Sequence, residues 1–199
     1  MNKFLAVAVS AGLGLCCTAA VAANRSDAGW VRPNPNIEVP AGGGSCATPQ
    51  NVGTFSPGSP VTVTGNSCGG ANNISNYGGG ICDANLPFPY PGPEDVWQFT
   101  LTGTPNSVSI SADLTGSTGD LAVFVLGTCG DGNSCIASSQ DAIGAGAGPE
   151  EVTLDANLTP GDYYIYIDSY YGTGGISCGS YSLSLSGTQP VSLTTFGID

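Results

Sequence analysis

Apolar and polar side chains alternate with a period of two along much of the chain beyond residue 60. Val61 and Val63 alternate with Thr62 and Thr64, and Trp97, Phe99 and Leu101 alternate with Gln98 and Thr100. Val108, Ile110, Ala112 and Leu114 alternate with Ser109, Ser111 and Asp113. The same rhythm returns at Val152 and Leu154, along Tyr163–Ile167, and at Tyr181, Leu183 and Leu185. Successive strand residues point to opposite faces, so each segment predicts a strand with one buried face. Leu121–Leu126 is apolar at every position and predicts a strand covered on both sides. Between the segments stand Gly103-Thr104-Pro105-Asn106, Gly116-Ser117-Thr118-Gly119 and Thr159-Pro160-Gly161-Asp162. These are turn compositions, because Gly tolerates positive φ and Pro fixes it near the turn value. No helical periodicity is sustained and no short repeat appears. The expected fold is all-β, a jelly-roll-like β-sandwich of about seven to nine short strands.

The first residues follow a different pattern. Lys3 precedes an apolar run from Phe4 to Leu15, and Ala20-Val21-Ala22 has the small-x-small form of a cleavage site. Residues 1–22 therefore read as a signal peptide, with Ala23 as the neighbouring cut. The run is shorter than a bilayer span needs, and no later stretch is longer, which predicts an exported chain with no membrane insertion. Lipidation is not expected, since Leu15 precedes Cys16 and Cys16 precedes Cys17 where a lipobox needs a small residue. Residues 23–45, with Pro33, Pro35, Pro40 and three successive glycines, read as an extended leader. The sandwich is expected over 46–188. The tail 189–199 alternates like an edge strand or serves as a segment read by a transport machinery.

Composition then excludes a good deal of chemistry. The 199 residues hold 31 Gly and 14 Pro, and 15 Asp+Glu against 3 Lys+Arg give a net charge of -12. Removing residues 1–22 takes Lys3 away and leaves 2 - 15 = -13. A chain so poor in cations has nothing to neutralise phosphates, so nucleic acid is not an expected partner, and anionic lipid is disfavoured likewise. There is no His, which removes imidazole bases, Ser-His and Cys-His pairs, and His-based zinc sites.

Two of the 8 Cys leave with the signal, and the remaining 8 - 2 = 6 are Cys46, Cys68, Cys82, Cys129, Cys135 and Cys178. An even number in an exported chain predicts three disulfides. Thiolate metal binding fits poorly, since there is neither a C-x-x-C pair nor a His. Six cysteines allow many connectivities, and sequence alone does not choose. Short Gly/Asn-rich loops favour Cys129 with Cys135 and Cys68 with Cys82, leaving Cys46 with Cys178.

Four segments in order carry a family resemblance. They are Asp95-Val96-Trp97-Gln98-Phe99, Thr118-Gly119-Asp120-Leu121-Ala122-Val123-Phe124-Val125, Gly161-Asp162-Tyr163-Tyr164-Ile165-Tyr166-Ile167, and Gly179-Ser180-Tyr181-Ser182-Leu183-Ser184-Leu185. Over 95–187 the chain resembles the bacterial pre-peptidase C-terminal (PPC) domain, a small extracellular jelly-roll module found beside secreted proteases and on other exported proteins. Ala122 departs from the pattern, standing where the family carries a second Asp. Residues 23–94 are too few and too rich in Gly and Pro to form a peptidase. The resemblance thus implies a free-standing accessory module, of a kind that assists secretion or binds polymers and surfaces.

Candidate chemistry is confined to carboxylates and aromatics. Glu94-Asp95 and Glu150-Glu151 are adjacent pairs, but adjacent strand residues face opposite ways and do not make the facing carboxyls of a glycosidase. Calcium is the candidate ion, because it takes carboxylates, amide oxygens and carbonyls from Gly-rich loops. Asp131-Gly132-Asn133 begins like an EF-hand loop, yet Cys135 occupies the next ligand position and no Glu closes it. Asp95, Asp120, Asp162 and Asp168 lie at strand margins and are the candidate ligands if those margins converge; each otherwise caps a turn.

Along 163–168, Tyr163, Ile165 and Ile167 share one face and Tyr164, Tyr166 and Asp168 the other. The first set is expected in the core. Tyr164 and Tyr166, with Tyr170 and Tyr171 in the following loop, are then the candidate binding aromatics, wide apolar surfaces with a polar edge. The other use of that face is cross-strand packing beneath a neighbouring loop.

The expected function is a secreted, non-catalytic binding or accessory module that contacts an extracellular polymer, polysaccharide or matrix protein, or a partner protein. No cofactor is required, with calcium as the one candidate. A purely structural acidic surface protein is the alternative, and a carboxylate hydrolase is third.

Overall fold

The computed structural model describes residues 44–78, 82, 89–103, 105, 107–115, 117–140, 144–154 and 158–188. The signal peptide, nearly all of the leader and the 189–199 tail lie outside the described residues. Among those described, nine strands form two sheets packed as a sandwich. The strands are β1 (Gln50–Phe55), β2 (Val61–Asn66), β3 (Asp95–Leu101), β4 (Ser107–Asp113), β5 (Leu121–Leu126), β6 (Cys135–Ser139), β7 (Pro149–Leu154), β8 (Gly161–Ser169) and β9 (Ser180–Thr188).

One sheet has the order β1-β3-β8-β5-β6 and the other β2-β9-β4-β7. Only β1 runs parallel to its neighbour; the other pairings are antiparallel. The alternating residues form the core between the sheets, with Phe99, Leu101, Ile110, Ile165, Leu183 and Leu185 fully buried. Phe99 and its register partner Tyr163 stack with ring centroids 5.5 Å apart. Of the nine strands, β1 and β6 have no counterpart in the alternation. Both are edges of the five-stranded sheet.

A second apolar layer covers the outer face of that sheet. Ile74, Tyr77, Cys82 and Tyr90, from the 67–94 connection, pack on Val96, Ala122, Phe124, Leu126 and Tyr166. Tyr77 lies flat on Phe124, with centroids 3.7 Å apart and an interplanar angle of 2°. Tyr90 meets the same ring edge-on at 4.9 Å. This layer explains why β5 is apolar at every position: Leu121, Val123 and Val125 face the main core, Ala122, Phe124 and Leu126 the outer one.

The cysteines form three bridges, Cys46–Cys129, Cys68–Cys178 and Cys82–Cys135. Neither pairing favoured by loop proximity occurs, nor does the remaining Cys46–Cys178. The 129–135 loop is closed without a bridge, by a 3-10 turn at Gly132–Ser134 that Asp131 caps, and by Ser134 Oγ bonding to Thr128. Cys135 is thereby free to enter the outer layer beside Cys82, and Cys129 meets Cys46. The bridges span 83, 110 and 53 residues. On chain-entropy grounds each restricts the unfolded chain by about 4–5 kcal/mol, against about 2 for a loop as short as 129–135. Three such bridges belong to an oxidising compartment. Among the described residues no helix is long and apolar enough to cross a membrane.

Candidate functional site

Strand β8 distributes the tyrosines. Its inward residues, Tyr163, Ile165 and Ile167, fill the main core as expected. Its outward residues do not reach solvent together. Tyr166 is fully buried in the outer layer, edge-on to Tyr77 at 6.0 Å. The parity was right, but the 67–94 connection covers that face, so Tyr166 packs within the outer layer and presents no exposed ring. Tyr164 is half-buried against the same layer. It pairs with Gln98 and Leu126, toward the far end of β8 from Tyr170. Six residue steps along extended chain separate the two tyrosines by about 20 Å. The four candidate aromatics are therefore not one surface.

Tyr170 and Tyr171 remain, exposed at 39% and 38% just beyond the end of β8. Their rings stand perpendicular, with centroids 5.1 Å apart and an angle of 89°. Tyr90, buried, supports Tyr170 edge-on at 6.0 Å. The backbone beneath is pinned. Ser169 Oγ donates to the Asp120 carbonyl at 2.9 Å and accepts from the Tyr171 N–H at 3.2 Å. The Gly92 N–H donates to the Ser169 carbonyl at 3.0 Å. A Cβ at Gly92 would fall 2.5 Å from Ser169 Cβ and 2.9 Å from the Tyr171 carbonyl, so only glycine lets the 89–93 segment bed against this turn. Pro91, exposed, lies against Gly172 on the same surface. Pro91, Gly92 and Tyr90 are the members that strand periodicity missed. The proline spacing of Pro89-Tyr90-Pro91-Gly92-Pro93 around one aromatic was the available signal.

The candidate calcium ligands do not converge. Asp162 pairs with Thr100 at the start of β8 and accepts its hydroxyl at 2.6 Å. The other three lie toward the opposite end, on different faces. Asp95 points into the main core, where it accepts from the Gly44 N–H, the Gln50 amide and the Tyr181 hydroxyl. Asp168 points into the outer layer and accepts from the Tyr77 hydroxyl at 2.7 Å and the Ser169 N–H. Asp120 accepts from the Gly144 N–H at 3.1 Å in the loop before β5. Burial drives the Asp168 carboxyl well above its ordinary value, against the opposing pull of the Tyr77 and Ser169 donors. The Tyr77 hydroxyl is driven up as well, first by burial and then by the Asp168 charge. Among the described residues no group of three or more Cys, Asp or Glu side chains is placed to hold a metal ion.

The adjacent acids divide as strand geometry requires. Glu94 turns toward Asn73 and Ile74, which donate to its two oxygens, while Asp95 turns toward Tyr181. Glu150 is buried and accepts from the Ser139 hydroxyl, whereas Glu151 is exposed. Neither pair presents two carboxyls to one cleft. The chain matches no family model and no curated protein. The pinned tyrosine pair forms an apolar corner with hydroxyl edges, on a domain whose residues 44–188 contain neither Lys, Arg nor His.

Proposed function

We propose that the protein is a secreted, non-catalytic binding module whose contact surface is the Tyr170–Tyr171 corner flanked by Pro91. The perpendicular, backbone-pinned pair carries this reading. Ordering an exposed aromatic before a ligand arrives removes part of the entropy cost of binding. Ring faces with polar edges suit the apolar faces of sugars or the side chains of an extended peptide. Charge narrows the ligand. Residues 44–188 hold 15 - 3 = 12 of the acids, all but Asp27, Glu38 and Asp199, and no base. That field repels anionic polymers and tolerates neutral ones. An uncharged polysaccharide or a matrix protein at the cell exterior is the ligand class. The PPC resemblance over 95–187 and the signal-like residues 1–22 support the accessory role and export.

The test is a glycan and matrix-protein array probed with the purified protein and with Tyr170→Ala/Tyr171→Ala. A ligand bound by the wild type and lost by the variant is the expected result. Binding that survives the double substitution removes this surface. An array with no ligand at all favours the second reading, a structural surface protein, whose support is the same uniformly acidic sandwich.

A further inference from the structure

The three disulfides differ in how an outside thiol meets them. Cys82 and Cys135 are buried in the outer layer, and Cys68 and Cys178 are half-buried. Cys46 is exposed, with Cys129 half-buried beside it. The Cys46–Cys129 bridge ties the segment ahead of β1 to the loop between β5 and β6. It is also the bridge that a phenol addresses. The Tyr166 hydroxyl lies 2.8 Å from Cys46 Sγ and 3.3 Å from Cys129 Sγ. Its oxygen accepts the Gly130 N–H at 3.0 Å, which leaves its proton directed to the sulfurs.

We propose that Cys46–Cys129 is a thiol-exchange site, opened by an extracytoplasmic dithiol ahead of the other two bridges while the sandwich stays folded. The reagent's thiolate attacks Sγ of Cys46, the one exposed residue of the six, the S–S bond breaks, and its electron pair leaves on Cys129 Sγ. The Tyr166 hydroxyl donates a hydrogen bond to that departing sulfur. The reagent's second thiolate then attacks the mixed disulfide and releases the Cys46 thiolate. Both protein thiolates take up protons, and the dithiol departs as its own disulfide, having supplied two electrons. Exchange rates rise with access to the attacked sulfur and with a better leaving thiolate, and both favour this bridge. Burial pushes the Tyr166 hydroxyl up to about 12, so it remains a donor at any pH where thiols exchange.

Contacts that do not pass through the bridge hold both sides of Cys46: the Gly44 N–H bonds Asp95 at 2.9 Å, the Gln50 amide reaches the same carboxyl, and the β1–β3 ladder begins at Gln50. The sandwich keeps its other two bridges.

Graded dithiothreitol treatment of the folded full chain, with iodoacetamide trapping and peptide mapping, reads the order directly. Cys46 and Cys129 are expected to be alkylated at a dithiol concentration about tenfold or more below that which labels the other four, with far-UV circular dichroism unchanged. Simultaneous labelling of all six, or an earlier opening of another pair, overturns the proposal. In Tyr166→Phe the opening rate should fall by about tenfold, the worth of one hydrogen bond to a charged sulfur. Cys68–Cys178 serves as the internal reference, because a loosened fold would accelerate both bridges. An unchanged Cys46–Cys129 rate in that variant removes the hydroxyl's part. The labelling order of the wild type stands as a test even if Tyr166→Phe does not fold.

Discussion

Tyr181 on β9 reaches across the sandwich core and donates its hydroxyl hydrogen to Asp95 on β3. Trp97 Nε1 donates to the same hydroxyl oxygen at 2.6 Å, so one indole, one phenol and one carboxyl form a chain inside an otherwise apolar interior. Asp95 also gathers the Gly44 N–H and the Gln50 amide, joining the start of the described chain to the far sheet. Tyr181→Phe leaves the ring volume intact but strands a carboxyl oxygen and an indole N–H. Leaving a buried hydrogen-bonding group without its partner costs about 1–3 kcal/mol. Urea unfolding should show a loss of that size with an unchanged m-value. A loss below about 0.5 kcal/mol would mean that water replaces the phenol at no cost.

The Tyr181 ring also sets the identity of its register partner. Gly65 on β2 lies opposite Tyr181, and a Cβ there would stand 2.3 Å from the hydroxyl oxygen and 2.4 Å from Cζ. The ring therefore occupies the space a side chain would need. Gly65→Ala should destabilise by about 1–3 kcal/mol through overpacking. Combining it with Tyr181→Ala should cost less than the sum of the single changes, because the smaller partner vacates that space. Strict additivity in a double-mutant cycle would show that the ring simply moves aside.

Strand alternation made most of this sandwich legible, and its failures have specific causes. β1 reads Gln50-Asn51-Val52-Gly53-Thr54-Phe55, and its register slips between Asn51 and Gly53, where φ is +96°, so the bulge breaks the period. β6, Cys135–Ser139, is a short edge strand with little apolar contrast to alternate. The parity of β8 was correct over residues 163–168, yet parity only says which face, not whether a face is covered. The cover comes from Ile74, Tyr77 and Tyr90, spaced through a connection with no strand periodicity, and so Tyr166 looked available. Disulfide pairing failed for a related reason. Proximity along the chain favours short loops, whereas the sandwich brings Cys68 to Cys178 across 110 residues.

Cys82–Cys135 fastens the outer layer, and its loss should be local before it is global. Cys135 opens β6, and Cys82 lies in the connection that carries Tyr77 and Tyr90 over Phe124. Cys82→Ala/Cys135→Ala removes a bridge worth about 2–5 kcal/mol. Its first consequence should be exposure of the Tyr77–Phe124 stack. Hydrogen exchange should rise at Ile74–Tyr77 ahead of β4 and β9. Uniform acceleration across both sheets would show that the outer layer and the core unfold as one unit.

The response to acid should run opposite to that of most domains. Acid usually unfolds proteins by protonating carboxylates held in ion pairs, but residues 44–188 contain no base to pair with. Burial raises the Asp168 carboxyl well above 3.8, and burial raises Glu94 above 4.5 despite the Asn73 and Ile74 donors. A carboxyl whose folded value lies above its unfolded value binds its proton more tightly in the native state. Its stabilising contribution is therefore complete below the unfolded value and is lost as pH rises through the folded one. The Asp113 carboxyl, lowered by its bonds to Thr115, works the other way, but it is exposed and its effect is small. Mutual repulsion among the 12 acids of this region adds to the first trend. The midpoint of thermal unfolding should rise as pH falls from neutral toward the unfolded carboxyl values of about 4, and Asp168→Asn should flatten that slope. A midpoint that falls across this interval would mean that Asp168 and Glu94 are held as charged groups in the folded state.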